Sequence, residues 1–171
     1  MSVCPGTTSV PRWDEERHIA TGARTVTILS FGADAATRAR ELLSSFDGCR
    51  TDWMCLPAEW GETAARVLGS RLGGARVGWR LVLVGSEAAV LSATAAAVAG
   101  GLLDAEILPV PVDSTDRTVY CAHCHTAHLA TVEVGRCTTC PNCRTELVVY
   151  HHVSRLHGAY LGFMSDAEER P

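Results

Sequence analysis

Five of the eight cysteines in this chain of 171 residues fall between Cys121 and Cys143, at spacings suited to coordination chemistry. Cys121-Ala122-His123-Cys124 and Cys140-Pro141-Asn142-Cys143 are two CxxC units separated by fifteen residues. A CxxC can close into a tight knuckle whose backbone N–H groups point at sulfur, so that two thiolates meet one cation. Two knuckles joined through a hairpin make a tetrahedral Cys4 shell, which suits zinc because a d10 ion imposes no competing geometry. Catalytic zinc keeps a position open for water, whereas four thiolates close the shell, so the pattern points to a structural site. Metal binding of order 10–16 kcal/mol is then folding energy for a module too small to fold on its core alone. An iron centre of the rubredoxin type needs the same four thiolates and is the rival; the few aromatic residues of the segment favour zinc.

The neighbouring candidates weaken under the same reasoning. Cys137 forms a third, overlapping CxxC with Cys140. Cys140 and Cys143 are preferred because Pro141 and Arg144 place a turn right after the first of those thiols, and TELVVY then leaves directly from Cys143. His123, inside the first knuckle, and His125 and His128, just beyond it, could replace a thiolate. With four well-spaced cysteines present, they read instead as surface residues or as supports for the ligands. Cys49 and Cys55 read as small core hydrophobes and Cys4 as a single unpartnered thiol, with no basic neighbour to activate any of them. No GxSxG motif is present, and six of the seven histidines lie in the final third of the chain, so no catalytic triad is indicated.

Composition narrows the remaining classes. The hydrophobic fraction of 47% is enough for a real core, and the formal net charge of −4 argues against a general nucleic-acid or membrane-surface binder. From Cys121 onward four Arg face five Asp plus Glu, so a nucleic-acid-binding zinc ribbon lacks its electrostatic footprint. All fifteen basic residues are Arg, which removes Schiff-base lysine chemistry and lysine phosphate grips. The opening MSVCPGTTSVPRWDEER contains no apolar signal-peptide core, and no run approaches 18 apolar residues. A cytoplasmic chain without a membrane span is the expectation, and in a reducing cytosol paired CxxC units are metal ligands before they are disulfides.

The elements that must carry these residues follow from periodicity. Residues 1–23 show none, and read as an N-terminal arm with Trp13 as its natural anchor. From Thr25 strands and helices alternate. TVTILSF (25–31) predicts a strand ended by Gly32, then a helix with Asp34 as N-cap and Ala36, Ala39, Leu42, Leu43 and Phe46 inward. A strand at 50–57 and a helix at 62–72 follow, the helix with Ala64, Ala65, Val67, Leu68 and Leu72 inward. The apolar LVLV (81–84) predicts a strand covered on both faces, Ser86 caps an Ala-rich helix over 87–99, and a last strand spans 105–110. This βαβαβαβ order implies a small, open, doubly wound, Rossmann-like parallel sheet over 24–113. SFGADAA is not GxGxxG, and Gly85-Ser86 before a helix is ordinary capping, so no nucleotide site is assigned. Past a polar linker (DSTDR, 113–117) comes the β-rich zinc ribbon (114–150), and after it a C-terminal interaction tail (151–171). Tyr150, Tyr160, Phe163 and Met164 are its candidate anchors, on its own domain or on a partner. His151 and His152 point to opposite faces of a strand, and with His157 make no second metal site.

The two CxxC units together with YHHVSRLHGAYLGFMSDAE (150–168) resemble the small subunit of bacterial dimethylamine monooxygenase, the DmmA-like family. The likeness extends loosely to RLVLVGSEAAV and GLLDAEI within 80–107. Arg144, where a Gly commonly follows the knuckle, and the extra thiol Cys137 depart from the family pattern without removing a ligand. The resemblance implies a heteromeric enzyme that oxidatively demethylates dimethylamine to methylamine and formaldehyde. One partner subunit would carry heme, and another would be a flavin and [2Fe–2S] reductase fed by NAD(P)H. The chain itself would be an accessory, non-catalytic subunit with structural zinc. Its α/β half also looks somewhat like the nicotinamide-binding half of ferredoxin reductases, without their phosphate-binding glycines.

Overall fold

The computed structural model describes residues 8–13 and 22–166; Cys4, most of the arm and the last five residues lie outside them. The chain divides into two compact units, Trp13–Ser114 and Thr115 onward, the second also holding the described residues before Trp13.

The first unit is α/β. Strands β1 (Thr25–Phe31), β2 (Arg50–Leu56), β3 (Trp79–Ser86) and β4 (Ile107–Asp113) form one sheet in the order β2-β1-β3-β4, every pairing parallel. Helices α1 (Gly32–Leu43), α2 (Glu62–Gly73) and α3 (Glu87–Ala99) are the crossovers. Right-handed connections put α1 on one face and α2 and α3 on the other. One core therefore joins Ala35, Ala39, Leu42 and Phe46 to Val26, Ile28, Val82 and Val84. The other joins Ala64, Leu68, Val90 and Ala93 to Leu29, Leu81 and Leu83. The central strands β1 and β3 are buried on both faces, whereas β2 at the edge is only partly covered. Pro109 and Pro111 are tolerated in β4 because it is the other edge.

Several boundaries differ from the expectation. Gly32 takes φ +82°, turns the chain straight out of β1, and starts α1 two residues before Asp34, which lies in the first turn instead of capping it. A side chain at Gly32 would also meet Ala58 Cβ at 3.0 Å. Ala35 replaces Ala36 on the buried face, and Ala65 is exposed. Cys55 is exposed because β2 is an edge strand, while Cys49 is half-buried against the α1 core. Ser86 does cap α3, accepting from the Ala89 N–H at 3.3 Å. At the carboxyl ends of β1 and β3 the chain packs on itself. A Cβ on Gly85 would meet Phe31 at 2.8 Å, and the Phe31 and Trp60 rings lie 6.2 Å apart. The Trp13 indole N–H donates to the buried Glu87 carboxylate at 3.0 Å, so the anchoring role expected of Trp13 is played within this unit.

The second unit is all β. Strands β5 (Asp116–Cys121), β6 (Ala127–Thr131), β7 (Cys137–Thr139), β8 (Glu146–Ser154) and β9 (Ala159–Met164) form a sheet in the order β6-β5-β9-β8-β7. The segment expected to leave as a tail is therefore the middle of this sheet. β8 runs through position 150, and β9 pairs parallel with β5 and antiparallel with β8. The cause is the alternation in AYLGFM, which turns Tyr160 and Gly162 to the buried face and Phe163 outward. Ser9, from the arm, lies beside β8, its N–H on the His151 carbonyl at 3.3 Å and its hydroxyl accepting from the Val153 N–H at 2.8 Å. No helix among the described residues is long and apolar enough to cross a membrane.

Candidate metal centre

The two CxxC units occupy equivalent places. The first turns the chain from β5 into β6, the second from β7 into β8. Each closes with the same two backbone bonds: Cys121 N–H to the Thr126 carbonyl and His125 N–H to the Cys121 carbonyl, then Cys140 N–H to the Thr145 carbonyl and Arg144 N–H to the Cys140 carbonyl, all four at 2.9 Å. In each, the residue after the second cysteine takes a left-handed conformation, His125 and Arg144 both at φ 60°. That explains why a glycine suits the position of Arg144: a Cβ there costs on the order of 1–2 kcal/mol.

The central strand sets the first knuckle in place. Gly162 lies opposite Cys121, and its carbonyl accepts the Ala122 N–H at 2.9 Å. A Cβ at Gly162 would come within 2.8 Å of Val119 and 3.1 Å of Leu147. Only a residue without a side chain lets β5, β9 and β8 close up beneath the sulfurs.

Four thiols converge there. Cys121, Cys124, Cys140 and Cys143 have sulfurs all within 4.8 Å of one another, with Cys121 to Cys143 at 3.8 Å and Cys124 to Cys140 at 3.6 Å. Zinc–sulfur bonds of about 2.3 Å make a tetrahedron with edges of about 3.8 Å. The donor set and its dimensions thus fit a tetrahedral metal ion. Cys121 and Cys140 are buried and the other two half-buried. Cys137 stays out of the group; it is exposed on β7, opposite Val148. All seven cysteines among the described residues are free thiols.

Electrostatics separates Cys121 from the two outer sulfurs. Burial pushes the Cys121 thiol up to about 12, against backbone N–H donors from Cys124 and His123. The Asn142 side chain and the Thr126 hydroxyl, the latter 3.0 Å from sulfur, bring Cys124 down to about 7. Cys143 comes down to about 5, chiefly through Thr145, whose hydroxyl is 3.3 Å away, and also through the His123 side chain. Thr126, Thr145 and Asn142 were not singled out from the sequence, although a signal was present: the motif is C-x-x-C-x-T in both copies.

The histidines go elsewhere. His128 has both ring nitrogens buried without a hydrogen-bond partner, and burial holds it below its ordinary value while the Cys124 charge opposes. His125 meets the Tyr120 hydroxyl through Nδ1 at 3.0 Å, and His157 stacks on the Tyr120 ring at 4.0 Å. His151 packs near Gly135, and His152 lies 3.5 Å from Ser9 Oγ. Of the expected anchors, Tyr160 is buried under Arg117, Met164 is half-buried, and Tyr150 and Phe163 are exposed in an edge-on pair 5.0 Å apart. With Leu129 they give the outward face of this sheet an apolar surface.

Residues 118–163 match the family model described as the C-terminal domain of dimethylamine monooxygenase subunit DmmA-like proteins. The chain is also 44% identical over 103 residues to a protein of Ectopseudomonas mendocina (strain ymp) named heme-dependent oxidative N-demethylase delta subunit. That stretch is 60% of this chain and 58% of the relative, so little more than half of the relative's length is spanned. No solved structure matches. The resemblance read from the knuckles and the segment after them is borne out.

Proposed function

We propose that this chain is an accessory, non-catalytic subunit of a heteromeric, heme-dependent amine monooxygenase, with zinc held by Cys121, Cys124, Cys140 and Cys143. The observation that carries the reading is the coincidence of three things in residues 118–163: the DmmA-like match, the four converging sulfurs, and the exposed apolar face. Four thiolates fill a tetrahedron, so bound zinc supplies a cross-link between two hairpin ends and offers no position to a substrate. The strand order β2-β1-β3-β4, with helices on both faces, supports a Rossmann-like first domain over 24–113, and the two cysteine knuckles at the strand turns of the second sheet support a zinc ribbon from 114 onward.

In this reading, electrons from NAD(P)H reach a heme-bearing subunit through a flavin and [2Fe–2S] reductase subunit, and dimethylamine is demethylated there, in the cytoplasm. Support comes from the relative, whose name places it in a heme-dependent oxidative N-demethylase. This chain's part is to hold partners. Leu129, Tyr150 and Phe163 are the kind of rigid apolar contacts that anchor interfaces. Co-expression with the genes that flank it, followed by native mass spectrometry, tests this. Co-elution with heme- and flavin-bearing chains is expected; an intact, metal-loaded chain that never co-elutes with either would refute it. Iron in the same thiolate shell is the alternative, because the donor set fits it equally. A colourless protein containing one zinc is expected, and a red protein containing iron would replace this assignment.

A further inference from the structure

The strand order β2-β1-β3-β4 reverses direction between β1 and β3, where α1 leaves to one face of the sheet and α3 to the other. Open parallel sheets take their ligands at such a reversal, in the crevice outside the carboxyl ends of the strands. Here the chain packs its own residues into that place. A Cβ on Gly32, in the turn after β1, would meet Ala58 at 3.0 Å, and one on Gly85, near the end of β3, would meet Phe31 at 2.8 Å. Both glycines thus admit side chains of this chain, where the glycines of a phosphate-binding turn admit a pyrophosphate. The Trp60 ring lies 6.2 Å from that of Phe31, and Trp13 is half-buried on the same core.

The end of α3 is filled as well. Glu87 is its first residue and only 2% exposed. A carboxylate in the first turn supplies the negative charge that a helix N-terminus favours. The Ser86 hydroxyl already takes the Ala89 N–H at 3.3 Å. A phosphate arriving here would find that N–H taken and a carboxylate beside it. What the carboxylate accepts instead is the Trp13 indole N–H, at 3.0 Å, from a residue 74 positions away in the chain. A buried carboxylate needs such a donor.

We propose that this crevice is a ligand site occupied in cis, with Trp13 as its occupant and Glu87 as the acceptor that selects it. The class of ligand it takes is a planar apolar ring bearing one N–H donor and no phosphate. With Trp13 in place the sheet is closed to nicotinamide nucleotides; with the Trp13 side chain removed it takes a free indole. No thiol takes part, so the inference stands apart from the metal site and from any partner subunit.

The test uses the full chain, reduced and supplied with Zn2+, and free indole as the probe. Trp13→Ala is expected to bind indole with a Kd on the order of 0.1–1 mM by titration calorimetry. N-methylindole, which has no N–H to give Glu87, is expected to bind at least about 10-fold more weakly. Wild type and Trp13→Phe, whose crevice stays filled, are expected to bind neither ring. The melting temperature of Trp13→Ala should fall by roughly 5–10 °C and recover with indole. Adding Glu87→Leu to Trp13→Ala should erase the discrimination between the two rings, whereas a cavity left by ordinary core packing would take both alike from the start. A folded Trp13→Ala that binds no indole, or binds both rings equally, overturns the assignment. So does ADP or NADH binding to wild type or to Trp13→Ala. If Trp13→Ala does not fold by itself, indole but not N-methylindole is expected to restore a cooperative melt, and failure to restore it overturns the assignment equally.

Discussion

Replacing Cys140 by Ser, beside a Cys137→Ser control, separates the proposed ligand from its neighbour three residues away. Cys140 is fully buried, with its sulfur 3.6 Å from that of Cys124, whereas Cys137 is exposed on β7 and outside the sulfur cluster. Structural zinc contributes about 10–16 kcal/mol, so an even quarter of it is about 2.5–4 kcal/mol per thiolate, or on the order of 10²- to 10³-fold in affinity. The hydroxyl left behind is buried, which adds to the loss. Cys137→Ser changes an exposed group and should alter stability by less than about 0.5 kcal/mol. Competition against a chelator of known affinity at neutral pH, in reducing buffer, measures the first quantity, and thermal melts with and without metal measure the second. A Cys137→Ser variant that loses as much affinity as Cys140→Ser would refute the assignment, as would a Cys140→Ser variant that loses none.

Gly162→Ala should destabilise the second unit by about 1–3 kcal/mol, since the new methyl meets Val119 at 2.8 Å and Leu147 at 3.1 Å; urea unfolding followed by tryptophan-independent far-UV signal measures it. Arg144→Gly should raise stability by up to about 1 kcal/mol by relieving a left-handed side chain, read as a higher melting temperature with metal content unchanged. His128 sits below its ordinary value because burial disfavours the imidazolium. Its folded value is therefore the lower one, so its contribution is present above its ordinary value of 6.5 and is lost as pH falls through the folded value. Metal-loaded His128→Leu should accordingly lose less stability than wild type between neutral pH and about pH 5; equal losses in paired melts would contradict this.

By itself the sequence determined the α/β alternation and the four sulfurs. Strand and helix periods of 2 and 3.6 residues are local properties, and the continuous apolar run at β3 announced a strand covered on both faces. A CxxC is likewise local, because its turn is closed by bonds within six residues. The choice of Cys140 and Cys143 over Cys137 was legible for the same reason.

Only the tertiary structure decided where the last segment goes. Nothing local says that AYLGFM pairs parallel with β5, 41 residues upstream by register, and becomes the middle strand; that follows from how Gly162 admits Val119 and Leu147. Cross-strand partners also decided which aromatic residues are buried, Tyr160 inward and Phe163 outward, and which cysteine of the sheet is exposed. The meeting of the two knuckles belongs to this second class: Cys121 and Cys143, 22 residues apart, bring their sulfurs to 3.8 Å, and a contact between two hairpin ends has no period that a linear reading could detect.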